Sequence, residues 1–373
     1  MKWSGNIWNT QGKRVCLMNK EKLDKKNIGE NLDMLMTLDP RGYGVCRILY
    51  DGCRKMAEQP LTMHAAEALC DTIKENDVVF LMTGFVLLPY RVPEMDGMVA
   101  TILMARALIE AFHAKPVVIC PQECVQAVIN CGHTVGYHVY EDMELLQEMP
   151  LSMGVIPFTK NAQEARTQAE DICKKIMPKA MIAIEAPGAN AVGKYHNAIG
   201  KDVTDLEAKS DVLWNLLRDL GVLGVAIGDL GNEIGMHSLA KHIKRYIPFT
   251  SKNECICGCG GGILATTETD YLITATCSDW GCYGLIAAIA FLKKNIRILH
   301  DELLEEEVMR EASRCGMIDM TGSLQPGIDG FDLKMNTGIV SMMRQCTEYA
   351  LEHNGEFDHW YGPVLEKGFF DGV

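Results

Sequence analysis

Gly224-Val225-Ala226-Ile227-Gly228-Asp229-Leu230-Gly231-Asn232-Glu233-Ile234-Gly235 is an apolar run that ends in a glycine turn carrying two acids. An uninterrupted apolar segment of this length reads as a strand buried on both faces, which is the mark of a parallel sheet. The residues from Asn232 through His237 to Lys241 then read as the helix that follows. On that reading Asp229 and Glu233 flank a helix N-terminus, where free N–H groups and the dipole favour an anion or a metal–carboxylate assembly. The alternative is that both acids serve only the helix, Asp229 as its cap and Glu233 as a complement to its dipole.

The same alternation extends in both directions. Strands are expected at Val78–Phe85, Pro116–Cys120, Val135–Tyr140, Ala180–Ala186, Gly221–Gly228 and Tyr271–Thr276. Helices are expected at Gly97–His113, Gln122–Asn130, Ala162–Ile176, Ser210–Leu220, Asn232–Tyr246 and Trp280–Leu292. Strands alternating with helices of this length imply βαβ units with right-handed crossovers, so the expected fold is a doubly wound α/β domain whose mainly parallel sheet has helices on both faces. An N-terminal helical segment at about 20–60 breaks at Asp39-Pro40-Arg41-Gly42. Two more helices, Glu302–Ala312 and around Met335–Glu352, close the chain. With no repeat or long linker in sight, residues 1–373 read as one unit.

Composition narrows the function. A net charge of -13 without a basic block argues against a nucleic-acid partner, because phosphate contacts need clustered Lys and Arg. No apolar run reaches the roughly 18 residues of a membrane span and the start lacks a signal-peptide core, so a cytoplasmic protein is expected. Fifteen cysteines in a chain this large read mostly as reduced thiols. Cys255, Cys257 and Cys259 stand at i, i+2 and i+4, which would put three thiols on one face of a strand. Zinc sites favour paired C-x₂₋₄-C knuckles, so a loop or strand edge with buried thiols is the preferred reading. Phosphate-loop and dinucleotide fingerprints are missing and no nucleotide is expected; hydrolase-elbow and zinc-protease motifs are missing too.

Ligands of wound sheets gather at the carboxyl ends of the strands. Four segments there are rich in glycine and acid: Thr83-Gly84-Phe85 with Glu94-Met95-Asp96-Gly97, Glu185-Ala186-Pro187-Gly188, Gly228-Asp229-Leu230-Gly231, and Cys277-Ser278-Asp279-Trp280-Gly281. The second opens a long irregular stretch to Thr204 that holds Lys194, Tyr195, Asn197 and Asp202. Long polar loops of this kind are commonly functional.

Taken together, T-G-F with E-x-D-G (Thr83–Phe85, Glu94–Gly97), the Glu185–Thr204 stretch, I-G-D-x-G-N-E-I-G-M (Ile227–Met236) and S-D-W-G-x-Y-x-L (Ser278–Leu285) closely resemble the D-glutamate cyclase-like C-terminal domain family. Leu230 stands where the family would have glycine, and Met98 where proline is common; neither change removes a polar group. The resemblance implies conversion of D-glutamate to 5-oxo-D-proline with loss of water. Animal members carry this domain behind one resembling bacterial hydro-lyases, so a separate hydro-lyase-like protein is an expected partner.

That reaction needs a site that takes an ammonium proton, stabilises a tetrahedral oxyanion and protonates departing hydroxide. Asp229 and Glu233 are the candidate bases or metal ligands, with Glu185 and Asp96 as further carboxylates and Tyr195 as a proton donor. Gly231 and Asn232 would lend backbone N–H groups at the helix start. Lys194 or Arg91 would pair with the α-carboxylate of a small acidic amino acid, with Thr83, Gly84, Asn197 and Ser278 lining the site. Carboxylates converging on an acidic substrate call for a hard cation, so Mg²⁺ or Mn²⁺ is the expected cofactor, held by Asp96, Asp229 and Glu233. Two alternatives stay open: a metal-assisted hydrolase or phosphate-transfer enzyme using the same acids, and an amino-acid-binding module that acts through the hydro-lyase-like partner.

Overall fold

The computed structural model describes residues 10–353, 355–356, 358–365 and 367–368. Its strands are β1 (Val78–Met82), a short hairpin β2 (Val86–Leu87) and β3 (Val92–Pro93), β4 (Lys115–Cys120), β5 (His138–Tyr140), β6 (Ser152–Pro157), β7 (Ala180–Ile184), β8 (Leu223–Gly228), β9 (Tyr271–Thr274), and a second hairpin β10 (Gly327–Ile328) and β11 (Phe331–Asp332). The helices are α1 (Thr10–Met36), α2 (Val45–Ala57), α3 (Leu61–Thr72), α4 (Met98–Phe112), α5 (Val125–Thr134), α6 (Met143–Glu148), α7 (Ala162–Lys175), α8 (Ser210–Asp219), α9 (Ala240–Tyr246), α10 (Ser278–Leu292), α11 (Glu302–Arg314), α12 (Leu333–Glu352) and α13 (Asp358–Leu365).

Seven strands form one sheet in the order β5-β6-β4-β1-β7-β8-β9, every neighbouring pair parallel. β1, β4 and β7 are buried along their whole length, as their unbroken apolar sequences require when helices cover both faces. The chain winds from β1 through β4 toward the β5 edge, then returns to the other side of β1 at β7. The switch point of the winding therefore lies between β1 and β7, whose registers align Leu81 with Ile182.

α10 is the hub of one helical layer. Every residue from Ser278 to Ala290 is buried, and α1, α3, α4 and α12 pack around it. A helix apolar on all sides must be covered on all sides. Gly284 lets α3 approach, since a Cβ there would lie 2.9 Å from Thr62 Cγ2. α7 and α8 pack against each other elsewhere on the sheet. α3 starts at Pro60, which offers no cap; Asp33 on α1 supplies one by accepting from Leu61 N (2.7 Å), Thr62 N (3.2 Å) and Thr62 Oγ1 (2.7 Å).

Several elements differ from expectation; helices α3 and α6 were not expected, and three further departures lie on or beside the sheet. β6 was not anticipated: it is hemmed by Pro150 and ends on Pro157, and its apolar content emerges only between β4 and β5. The strand expected from Val135 shortens to His138–Tyr140, because α5 runs to Thr134 and Gly136 turns at φ 92°. The helix expected from Asn232 is absent there. Residues 229–236 form an irregular turn, and regular helix begins with α9 at Ala240. Gly235 (φ 91°) explains the departure, since a Cβ there would meet Ala226 Cβ at 2.3 Å; the segment is pressed onto β8 too closely for a helical cylinder. No helix among the described residues is long and apolar enough to cross a membrane.

Candidate functional site

At the switch point the segments leaving β1, β7, β8 and β9 meet. Glu185 directly follows β7 and holds a left-handed backbone at φ 46°, an uncommon conformation for a side-chain-bearing residue. Its Oε2 accepts from Ser278 Oγ at 2.6 Å. Gly97 packs so closely here that a Cβ would lie 2.5 Å from Glu185 Cβ, 2.7 Å from Ile184 O and 2.8 Å from Thr83 Oγ1. Thr83, the residue after β1, therefore borders the same spot, and its buried hydroxyl has no hydrogen-bond partner.

Two helix N-termini converge on this point and cap each other. Asp279, in the first turn of α10, accepts from Gly97 N (2.6 Å) and Ala100 N (3.2 Å) at the start of α4. Asp96, just before α4, accepts from Asp279 N (3.1 Å) at the start of α10. Each acid thus satisfies N–H groups that the other helix leaves unpaired.

Asp229, at the end of β8, belongs to two carboxylate triads. One oxygen from each of Asp96, Asp229 and Asp329 lies within 4.8 Å of the others, and the same holds for Glu185, Asp229 and Glu233. Asp329 comes from the turn between β10 and β11, about 100 residues further along. Asp229 and Asp329 are half-buried, whereas Asp96, Glu185 and Glu233 are buried. Glu94 is buried near this group as well, its backbone bridged to Ile318.

So many acids in a dry place resist ionisation. Burial first, then Asp229, Glu233 and Asp96, push the Glu185 carboxyl well above the usual carboxylate range. Burial, Asp329 and Glu233 do the same to Asp229, while Arg41 opposes them. Burial and Asp96 raise Glu94 and Asp279 likewise. Burial and Asp96 push Asp329 up to about 7 against the pull of Arg41. Arg41 brings a positive charge to this site: it contacts Asp329 Oδ2 at 2.7 Å and donates to Thr276 O at 2.7 Å. The three aspartates offer hard oxygen donors at a spacing a divalent cation can bridge, and a cation would relieve their mutual repulsion.

Other expected residues fare differently. Glu233 does not flank a helix start. Its carboxylate folds back under the turn and accepts from Asp229 N (2.8 Å), Leu230 N (2.7 Å) and Gly231 N (2.5 Å). The concavity of N–H groups expected to hold an external anion is filled by the chain's own Glu233. Gly231 N is accordingly engaged, and Asn232 turns its side chain away to donate to His196 O at 2.9 Å.

Tyr195 donates its hydroxyl to Asp211 and packs with Val86, Val203 and Leu206; burial and Asp211 raise its pKa far above the usual range, which disfavours a role in proton transfer. Lys194 pairs with Asp202 at 3.1 Å. Asn197 caps its own turn through Ile199 N and Lys201 N. Arg91 is exposed at the tip of the β2–β3 hairpin. Gly84 (φ 113°) supports the loop after β1, where a Cβ would meet Pro121 Cδ at 2.6 Å.

Sequence reasoning placed Asp279 in an acid-bearing segment without giving it a role, and missed Asp329 and Arg41. The Asp329-Gly330 turn was a legible turn signal, and Arg41 sits in the break at Asp39–Gly42, but nothing local links either to β8.

A family model described as D-glutamate cyclase-like, C-terminal, matches residues 32–344. Human mitochondrial D-glutamate cyclase is 30% identical over 113 residues, a match that covers 30% of this chain and 17% of the human protein.

Proposed function

The chain belongs to the D-glutamate cyclase-like, C-terminal family, and on that premise we propose that it is a lyase that dehydrates D-glutamate, or a close acidic analogue, to its five-membered lactam. The observation that carries this reading is the position of Asp229, shared by two carboxylate triads at the switch point of the sheet. Asp96, Asp229 and Asp329 would hold Mg²⁺ or Mn²⁺, which when bound would supply Lewis-acid polarisation of a carboxyl oxygen.

The remaining chemistry falls to the chain's own groups. Asp229 is half-buried, and burial with its neighbouring acids pushes its carboxyl well above the usual carboxylate range, so its ionised form is basic enough to take the proton from the substrate ammonium. Glu185 resists ionisation and is oriented by Ser278, so it retains a proton for the departing hydroxide. Arg41 offsets the negative charge that an acidic substrate adds. Glu233 is a positioning residue that shapes the turn carrying Asp229.

The test is incubation of the purified chain with each enantiomer of glutamate and of 5-oxoproline, with and without Mn²⁺, followed by chiral chromatography. Turnover of the D-forms is expected, with loss in a folded Asp229→Asn variant. Glutamate binding by calorimetry with no turnover would refute the lyase reading in favour of a binding module that works with a hydro-lyase-like partner.

A further inference from the structure

His196 and the three thiols of Cys255-Ile256-Cys257-Gly258-Cys259 converge away from the acids, although the histidine and the first cysteine are 59 positions apart in the chain. We propose that His196, Cys255, Cys257 and Cys259 form a structural zinc site that clips two loops together beside the Asp229 turn.

The geometry is that of a four-coordinate ion. Ligand bonds of about 2.3 Å to sulfur and 2.0–2.1 Å to nitrogen, arranged tetrahedrally, place sulfurs about 3.8 Å apart and sulfur about 3.5 Å from nitrogen. Here Cys255 and Cys259 Sγ are 3.4 Å apart, and Cys257 and Cys255 Sγ 3.7 Å. His196 Nε2 is 3.1 Å from Cys257 Sγ and 3.6 Å from Cys259 Sγ. All four donor atoms lie within 4.8 Å of one another. Every cysteine described is a free thiol.

The local backbone is built for this convergence. The segment is an irregular loop rather than the strand edge its spacing suggested. Gly258 (φ 77°) and Gly260 (φ 81°) take left-handed conformations that curl the chain, so that the three thiols point at one centre. N–H donors surround the sulfurs, as thiolates require: Cys259 N to Cys257 Sγ and Gly261 N to Cys259 Sγ at 3.4 Å each, and Asn190 Nδ2 to Cys259 Sγ at 3.5 Å. Three soft thiolates and one imidazole select zinc over Mg²⁺ or Mn²⁺, and four protein ligands leave no open position for a reacting water.

The consequence is structural coupling to the acids. His196 lies in the long loop after β7, and its carbonyl receives Asn232 Nδ2, the neighbour of Glu233. Cys257 N donates to Gly200 O (3.3 Å), and Asn190 Nδ2 to Gly262 O (2.6 Å), across the same pair of loops. Between its ends the first loop rests on a small satellite cluster, Val86, Tyr195, Val203 and Leu206 with the partly buried Leu88 and Ala189, separate from the main core. A metal clip would supply the order that so small a core does not.

Native mass spectrometry and elemental analysis of the full chain should find one zinc per molecule, with Cys255, Cys257 and Cys259 protected from thiol reagents. Cobalt reconstitution should give the thiolate-to-cobalt charge-transfer band and the intense visible bands of a tetrahedral site. Cys257→Ser and His196→Ala should weaken zinc retention at least tenfold, whereas Cys346→Ser and Asp229→Asn should retain zinc and leave the cobalt spectrum unchanged. If the variants fail to fold, the wild-type spectrum and thiol protection decide alone. Full reactivity of all three thiols after zinc loading, a mass lower by two hydrogens from a Cys255–Cys259 disulfide, or zinc retained by both ligand variants would each overturn the proposal.

Discussion

Glu233→Gln tests whether the turn after β8 is organised by its own carboxylate. The wild-type side chain is fully buried and accepts three backbone N–H groups, two on Oε1 and one on Oε2. Glutamine keeps an oxygen for Asp229 N and Leu230 N but turns an amide NH₂ toward Gly231 N, leaving that buried donor unpaired. Losing one charge-assisted bond and stranding its donor costs about 2–3 kcal/mol. An opposing contribution depends on pH: Glu233 is among the charges that keep Glu185 and Asp229 protonated, so removing it favours the folded state more as those groups ionise. The net cost should therefore be largest near pH 6 and shrink toward alkaline pH. Urea unfolding in divalent-free buffer, followed by the fluorescence of the buried Trp214 and Trp280, measures it at each pH. A variant within about 0.5 kcal/mol of wild type at pH 6, the usual range for a neutral surface change, would refute the reasoning; so would a cost that grows with pH.

Two further outcomes are expected. Asp329 is pushed up to about 7 from an ordinary value near 4, so the stability it confers is complete below about pH 4 and lost as pH rises to about 7. In divalent-free buffer the melting temperature should fall between pH 5 and pH 8, and Mn²⁺ should restore it at pH 8 far more than at pH 5; an equal effect at both would count against the aspartate triad as its site. Gly97→Ala places a Cβ 2.5 Å from Glu185 Cβ at a left-handed φ of 78°, which should destabilise the fold by about 2–4 kcal/mol in the same unfolding assay, and an unperturbed midpoint would show that the switch point is loosely packed.

The family-level reading and the parallel sheet were legible because both rest on local signals. Runs such as Val78–Met82 and Ala180–Ile184 announce strands buried on both faces, and the glycine-rich acidic segments that follow mark their carboxyl ends. β6 escaped because Pro150, Gly154 and Pro157 are turn and breaker signals, while its burial comes from its place between β4 and β5, with which it pairs across the sheet.

What the sequence by itself determined is therefore the alternation of elements, the winding of the sheet and the segments that carry the acids, since hydrophobic periodicity and turn chemistry are properties of neighbouring residues. Only the tertiary structure decided what those residues do. It spent Glu233 on its own backbone, joined Asp329 and Arg41 to Asp229, made Asp96 and Asp279 cap each other's helices, and brought His196 to three cysteines in another loop. Each of these depends on which surfaces pack together and on how buried charge finds compensation, quantities that arise between segments distant in the chain and leave no periodic trace within any one of them.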